Sequence, residues 1–248
     1  MILQDIYTIW LREMKRFVRA RSRVISSIAL PFFWLLFIGV GFGSSFRLPN
    51  LDYISFLAPG IIGMVLLFTS MFSGLSIIWD RQFGFLKEIL VAPVSRTSIM
   101  IGKTFGGATV ALINGLIILL VAAGFGVMKF SLGIFPSIVF MILTSICFVS
   151  LGLIIASSMK SMEGFQAIMS FIIMPIFFLS GALFPLQNTP VWMQTIAKAD
   201  PLTYGVDGLR DSLLGGGIFP LWLNLSVLFG FSVVLVLAGG YIFRKSTI

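Results

Sequence analysis

The chain contains no histidine, a single cysteine and very few charges. Without histidine there is no Ser–His or Cys–His nucleophile pair and no imidazole ligand for a metal. One cysteine, Cys147, cannot form an internal disulfide framework or a Cys/His zinc site. It lies inside an apolar run and reads as a small packing residue. Charged residues make up 10% of the 248, and hydrophobic residues 58%, against roughly 25% charged in soluble domains. The mean hydropathy is +1.07. So few charges cannot cover a water-exposed surface, and the sequence is that of an integral membrane protein. A length that would suit one or two soluble domains is used up by spans.

Six apolar runs fall at about 24–46, 54–78, 104–128, 132–159, 165–186 and 221–243, none with Asp, Glu, Lys or Arg inside those limits. Each exceeds the roughly 20 residues that cross the hydrocarbon core as a helix. The fold expected is all-α, with six transmembrane helices. Residues 1–23 are too charged to span. Leu3, Tyr7, Trp10, Met14 and Phe17 fall on one helical face, with Asp5, Arg12, Lys15, Arg16 and Arg19 largely elsewhere. That is the pattern of an amphipathic helix in the membrane interface, basic face toward headgroups. Arg12 to Arg23 form a charged region too long for a cleaved signal peptide.

The 17 Lys and Arg against 9 acidic residues describe membrane topology rather than nucleic-acid binding. Arg12, Lys15, Arg16, Arg19, Arg21, Arg23, Arg81, Lys87, Arg96, Lys103, Lys160, Arg244 and Lys245 lie on the N-terminal side. Only Arg47, Lys129, Lys198 and Arg210 lie opposite. This asymmetry predicts a multi-pass protein with both termini in the cytoplasm.

Two connecting segments stand out. Residues 79–103 are cytoplasmic and charged, and within 83–90 the apolar Phe83, Leu86 and Leu90 recur at helical spacing among Gln82, Lys87 and Glu88. Pro93 stops that short amphipathic helix, and Ser95 or Thr97 can cap the next one. A solvated loop between spans is the simpler reading of the same residues. Outside, 187–220 carries two stretches, 191–198 and 203–214, too short to cross. They are expected to dip into or lie on the outer leaflet as re-entrant helices. Trp192 and Tyr204 suit headgroup depth. Pro175 and Gly181 are expected to weaken the fifth span. Gly102 and Gly106, at GxxxG spacing, fit close helix packing, with a dimer seam as the other reading.

Chemistry is sparse. An ion-coupled transporter keeps ionisable residues within its spans, whereas these runs offer amides such as Asn114, Gln166 and Asn224. A hydrolase would need a nucleophile beside a base. The fragment Gly102-Lys103-Thr104 lacks the glycine a P-loop needs five positions earlier, where Thr97 stands. Energy for any active process has to come from a partner.

Arg81-Gln82-Phe83-Gly84-Phe85-Leu86-Lys87-Glu88, followed by Ala92-Pro93-Val94-Ser95-Arg96, resembles the loop between spans two and three of ABC-2 type permeases. These are the membrane subunits of ATP-binding-cassette exporters. Leu179-Ser180-Gly181-Ala182-Leu183-Phe184-Pro185-Leu186, Pro190-Val191-Trp192 and the stretch from Asp200-Pro201 through Tyr204 to Arg210 are similar to that family's signature before the last span. The likeness covers essentially the whole chain, 1–248, as one transmembrane domain. It is closest to the branch of daunorubicin-type and nodulation-factor exporters. Gln82 and Ala199-Asp200 depart from the usual pattern, and the first bears on how an ATPase docks.

The resemblance implies a plasma-membrane permease that pairs with a second copy and with two separate ATPase subunits. ATP and Mg²⁺ sit on those partners and no cofactor on this chain, which is not itself an enzyme. The helix at 83–90 becomes a coupling helix, with Arg81, Phe83, Gly84, Leu86, Lys87, Glu88, Leu90 and Pro93 as the ATPase-coupling residues. Arg81 and Glu88 as merely solvated charges is the competing reading. Gly181, Pro185, Pro190, Trp192, Pro201, Tyr204 and Arg210 become an extracytoplasmic gate, or a plug that only packs. Phe- and Met-rich spans suit an amphipathic or lipid-linked cargo such as a drug, lipid or saccharide conjugate. A membrane scaffold that recruits a soluble partner through the same loop is the alternative, and a channel a weaker third.

Overall fold

The computed structural model describes residues 2–43, 52–83, 94–127 and 132–245. Within them the chain is helical and contains no strand. The helices are α1 Ile2–Arg19, α2 Arg21–Gly43, α3 Tyr53–Ser73, α4 Leu75–Gln82, α5 Arg96–Gly124, α6 Ile134–Ser158, α7 Met162–Leu179, α8 Val191–Ala197, α9 Pro201–Leu214 and α10 Leu221–Lys245. A 3₁₀ turn, Leu186–Asn188, precedes α8. Five stretches among the described residues are long and apolar enough to cross a bilayer: Tyr53–Gln82, Arg96–Gly124, Ile134–Ser158, Met162–Leu179 and Leu221–Arg244. The first expected run is occupied by α2, whose described apolar stretch is Ala29–Gly39.

Local chemistry sets the helix ends. The Ser95 hydroxyl accepts from the Ser98 N–H at 3.0 Å and starts α5, as one of the two expected caps. Ser161 does the same for α7 through Gly164, at 3.1 Å. Asp200 caps α9 by accepting from Leu202 N–H at 2.9 Å, and Pro201 takes the first helical position. Two boundaries differ from expectation. The second apolar run is one stretch broken at Gly74, which packs so closely on the backbone of Gly152 that a Cβ on either would collide. The fifth helix stops at Leu179 rather than near 186. Gly181 has φ +75°, a left-handed value that ends helical propagation and that glycine adopts without strain.

α3 lies at the centre. Leu57, Ile61, Ile62, Leu66 and Leu67 are all fully buried, enclosed by α2, α5, α6 and α9. α7 is peripheral by contrast. Phe165, Met169, Ile173 and Phe177, four apart, face inward, while Phe171, Met174 and Phe178 are exposed. α10 likewise buries Asn224, Leu228 and Ser232 and exposes Trp222, Phe229 and Leu237.

In a bilayer, helix association rests on close packing rather than on escape from water, so small residues mark the contacts. The Gly102/Gly106 pair is explained this way. A Cβ on Gly102 would come 2.8 Å from Ile9 Cβ, and one on Gly106 would come 2.8 Å from Glu13 Cβ. The seam these glycines make is with α1 of the same chain. α1 is helical as expected. Its inward contacts come from Ile9, which is buried, and from Trp10, whose Nε1 donates to Thr109 Oγ1 at 3.1 Å, while Leu3 and Tyr7 of the apolar face stay exposed.

Candidate functional site

The helix ends that flank residues 84–93 carry a buried ion cluster. Lys103, two turns into α5, donates to Asp80 Oδ2 at 2.6 Å, to Ser76 Oγ at 3.0 Å and to Glu13 Oε1 at 3.4 Å. Asp80 is near the end of α4 and also accepts from Arg12 of α1, at 2.7 and 3.4 Å. Asp80 and Lys103 are both buried. Two anions and two cations thus neutralise one another across three elements, the arrangement a buried charge requires. This corrects three expectations. Lys103 is a mid-helix ion-pair donor and not a cation of the cytoplasmic loop. Arg12 turns toward Asp80 instead of the headgroups. Arg16 of the same basic set lies over the Trp79 ring, 4.6 Å from its centroid.

The stems of the loop are tied outward as well. Arg81 donates from Nη1 to the Met159 carbonyl at 2.9 Å and from Nη2 to the Ser157 carbonyl at 3.1 Å. It satisfies the C-terminal carbonyls of α6, which a helix end leaves open. Arg81 is therefore engaged within its own chain, as neither a solvated charge nor a free rim residue. Arg96 Nη1 donates to the Arg244 carbonyl of α10 at 3.2 Å. Phe83 closes α4 and is 77% exposed, so of the proposed apolar anchors it is one that presents its ring outward. Gly84, Leu86, Lys87, Glu88, Leu90 and Pro93 lie outside the described residues.

At the other end of the bundle, Gly181 and Arg210 meet directly. Arg210 is buried in α9, donates from Nη2 to the Gly181 carbonyl at 3.1 Å, and lies 3.8 Å over the Phe56 ring of α3. The Tyr204 hydroxyl donates to the Lys198 carbonyl at 2.7 Å, and its ring stacks on Phe219. Pro185 and Pro190 sit immediately before the 3₁₀ turn and α8, and Pro201 opens α9. Trp192 is 60% exposed on α8. One carboxylate organises the segment. Asp207 accepts from the N–H groups of Ile218 and Phe219 at 2.7 and 2.9 Å, and from Asn224 Nδ2 at 2.9 Å. It thereby fastens the connection 215–220 and the start of α10 to α9.

The sequence that builds this geometry matches known proteins along most of its length. The family profile described as ABC-2 type transporter matches residues 4–214. The chain belongs to that family. It is 28% identical to nodulation protein J of Rhizobium leguminosarum bv. viciae, over 96% of this chain and 93% of that protein. It is 31% identical to the ycf38 transport permease of Cyanophora paradoxa, over 84% of this chain and 73% of that one. Identity to the inner membrane transport permease YadH of Escherichia coli K12 is 25%, over 93% and 91%. The chain is accordingly a multi-pass ABC-2 permease, of a family whose members are membrane transport components rather than catalysts.

For an ABC-2 permease the residues that sequence reasoning passed over are instructive. Asp80, Lys103, Glu13 and Arg12 make the cluster beside residues 84–93, and Asp207 with Asn224 the one at the opposite end of the bundle. A signal existed for the first: opposite charges close the second apolar run and open the third. For the second, an Asp one helical turn before Arg210 was a charge with no evident use in solvent.

Proposed function

We propose that this permease is the membrane half of an ATP-driven exporter, and that 83–90 is the coupling helix that a separate ATPase subunit grips. The observation that carries the reading is the anchoring of the loop stems. A push delivered between Gln82 and Ser95 meets an Asp80–Lys103 bond of 2.6 Å, joined to α1 through Arg12 and Glu13. Arg81 and Arg96 pass the same displacement to the cytoplasmic ends of α6 and α10. A flexible solvated loop would absorb such a displacement. This one has its ends welded to the bundle.

In the full assembly two permease copies and two ATPases act together, and closure of the ATPases rocks the membrane halves. The unpartnered aromatic edge of α7, with Phe171 85% exposed, supports a second copy or lipid there. The chain crosses the plasma membrane six times with α2 as the first span, α1 in the interface and both termini cytoplasmic. α8 and α9 are re-entrant and gate the outer end through Gly181, Pro185, Pro190, Trp192, Pro201, Tyr204 and Arg210. Neutral, Phe-rich spans suit an amphipathic or lipid-linked cargo, the class to which a nodulation-factor exporter would also belong.

The test is purification of the tagged chain in mild detergent with its partners, followed by an ATPase assay. A nucleotide-binding subunit that co-purifies in wild type, and is lost in the Leu86→Ala/Glu88→Ala variant, is the expected result. Retention of that subunit and of export by the variant would overturn the coupling role. A chain that purifies alone from a cross-linked membrane would favour a scaffold.

A further inference from the structure

Beside the ion cluster, and used by neither the loop nor the outer segment, lies a cavity of about 380 Å³. Its floor is one stripe of α5: Lys103, Gly107, Val110 and Asn114, spaced four, three and four. Eleven residue steps at about 1.5 Å each make the stripe about 16 Å long. Met64, Phe68 and Phe72 of α3 face it. An elongated, mostly apolar slot of that length suits an extended chain better than a compact ligand.

The two ends differ chemically. At the cytoplasmic end stand Glu13, Arg16 and Lys103. Glu13 and Lys103 pair with each other, and Arg16 stacks on Trp79 with no carboxylate paired to it among the described residues. The lining at this end therefore carries a net positive charge. At the inner end Asn114 is 1% exposed. Among the described residues its amide N–H reaches only Thr69 Oγ1, at 3.5 Å, and its buried Oδ1 meets no donor. A buried acceptor left open in an apolar slot is a cost the fold carries unless something donates to it.

We propose that this slot binds the single extended acyl chain of an anionic amphiphile. The head group lies against Arg16 as a charge-assisted contact. A donor at the far end of the chain, where there is one, bonds Asn114 Oδ1. The site is a mostly apolar, concave pocket with a few convergent polar groups, the usual form of a small-molecule site. It concerns occupancy and not turnover, so it stands or falls separately from the ATP-driven reading. The same chemistry comes from two sources, a lipid of the surrounding bilayer or an acylated cargo.

The experiment uses the full chain in phosphatidylcholine nanodiscs and a dodecanoic acid probe bearing a mid-chain diazirine. After illumination, the labelled residues are mapped by mass spectrometry. Label is expected on Met64, Phe68 or Val110, competed by dodecanoic acid. ω-Hydroxydodecanoic acid should compete about fivefold better, the yield of one extra hydrogen bond. Val110→Phe fills the slot and should lower labelling at least tenfold. Asn114→Leu should keep dodecanoate competition and lose the hydroxyl advantage, a readout that stands even where Val110→Phe does not fold. Label confined to the outward Phe171 or Phe229, or unchanged in Val110→Phe, overturns the proposal. So does a hydroxyl advantage that survives in Asn114→Leu. Lipid extracted before probe addition separates the sources: a stoichiometric acyl lipid marks a resident bilayer molecule, and an empty slot filled on addition marks a cargo-type ligand.

Discussion

The two ends of this permease bury charge by different means. At the end that flanks residues 84–93, side chains neutralise side chains: Lys103, Asp80, Arg12 and Glu13 bond across α1, α4 and α5. At the opposite end each charge is held chiefly by backbone and amide groups. Asp207 takes N–H bonds from Ile218, Phe219 and Asn224, and Arg210 gives one to Gly181. The first arrangement ties helices to one another, so a displacement of one is felt by three. The second fixes the path of an irregular segment against a single helix, since open backbone polar groups cannot be left bare in an apolar setting. A mechanical joint and a structural clasp are built from the same residue types.

Substitutions at each end sharpen that contrast. The largest effect is expected at Lys103→Met, which strands Asp80 and Glu13 with only Arg12 to balance them. Breaking a buried pair costs about 3–5 kcal/mol, so little folded protein should survive size-exclusion chromatography in detergent. The double variant Asp80→Asn/Lys103→Met removes both charges and should recover much of the loss. Next comes Asp207→Leu, which takes the acceptor from the Ile218 and Phe219 N–H groups and leaves Asn224 Nδ2 only the Phe219 carbonyl at 3.5 Å. The loss should be about 3 kcal/mol, and protease nicking within 215–220 should rise before the bundle melts. Arg210→Met gives up the bond to Gly181, for a loss of about 2 kcal/mol in thermal denaturation. Arg210→Lys should not restore it fully, because an ammonium lacks the planar face that lies over Phe56. Ser95→Ala removes only a cap and should cost about 1 kcal/mol.

Much of this fold was legible in the sequence, because apolar runs and helix caps are local signals. The positions of α8 and α9, the Ser95 cap and the family likeness all followed from short stretches. The ion cluster was not, because pairing Asp80 with Lys103 and Arg12 is a statement about which helix faces touch, and periodicity is silent on that. The GxxxG pair was read as a close contact without its partner, for the same reason. The end of α7 was missed because Gly181-Ala182-Leu183-Phe184 stays apolar past the helix, and hydropathy cannot see a left-handed φ. Of the residues proposed for coupling, Arg81 could be followed to carbonyl partners at the end of α6, contacts that its position in a charged segment did not disclose.

The clamped stems also bear on how such permeases are engineered. Closing a loop costs chain entropy, and that cost is carried by whatever holds its ends together. Here the ends are held by Asp80, Lys103, Arg81 and Arg96, all outside 84–93. The proposed coupling role would make the residues between them an exchangeable cassette. Grafting that stretch from a relative should leave the host bundle folded and transfer the choice of ATPase, with pull-down against both candidate ATPases as the readout.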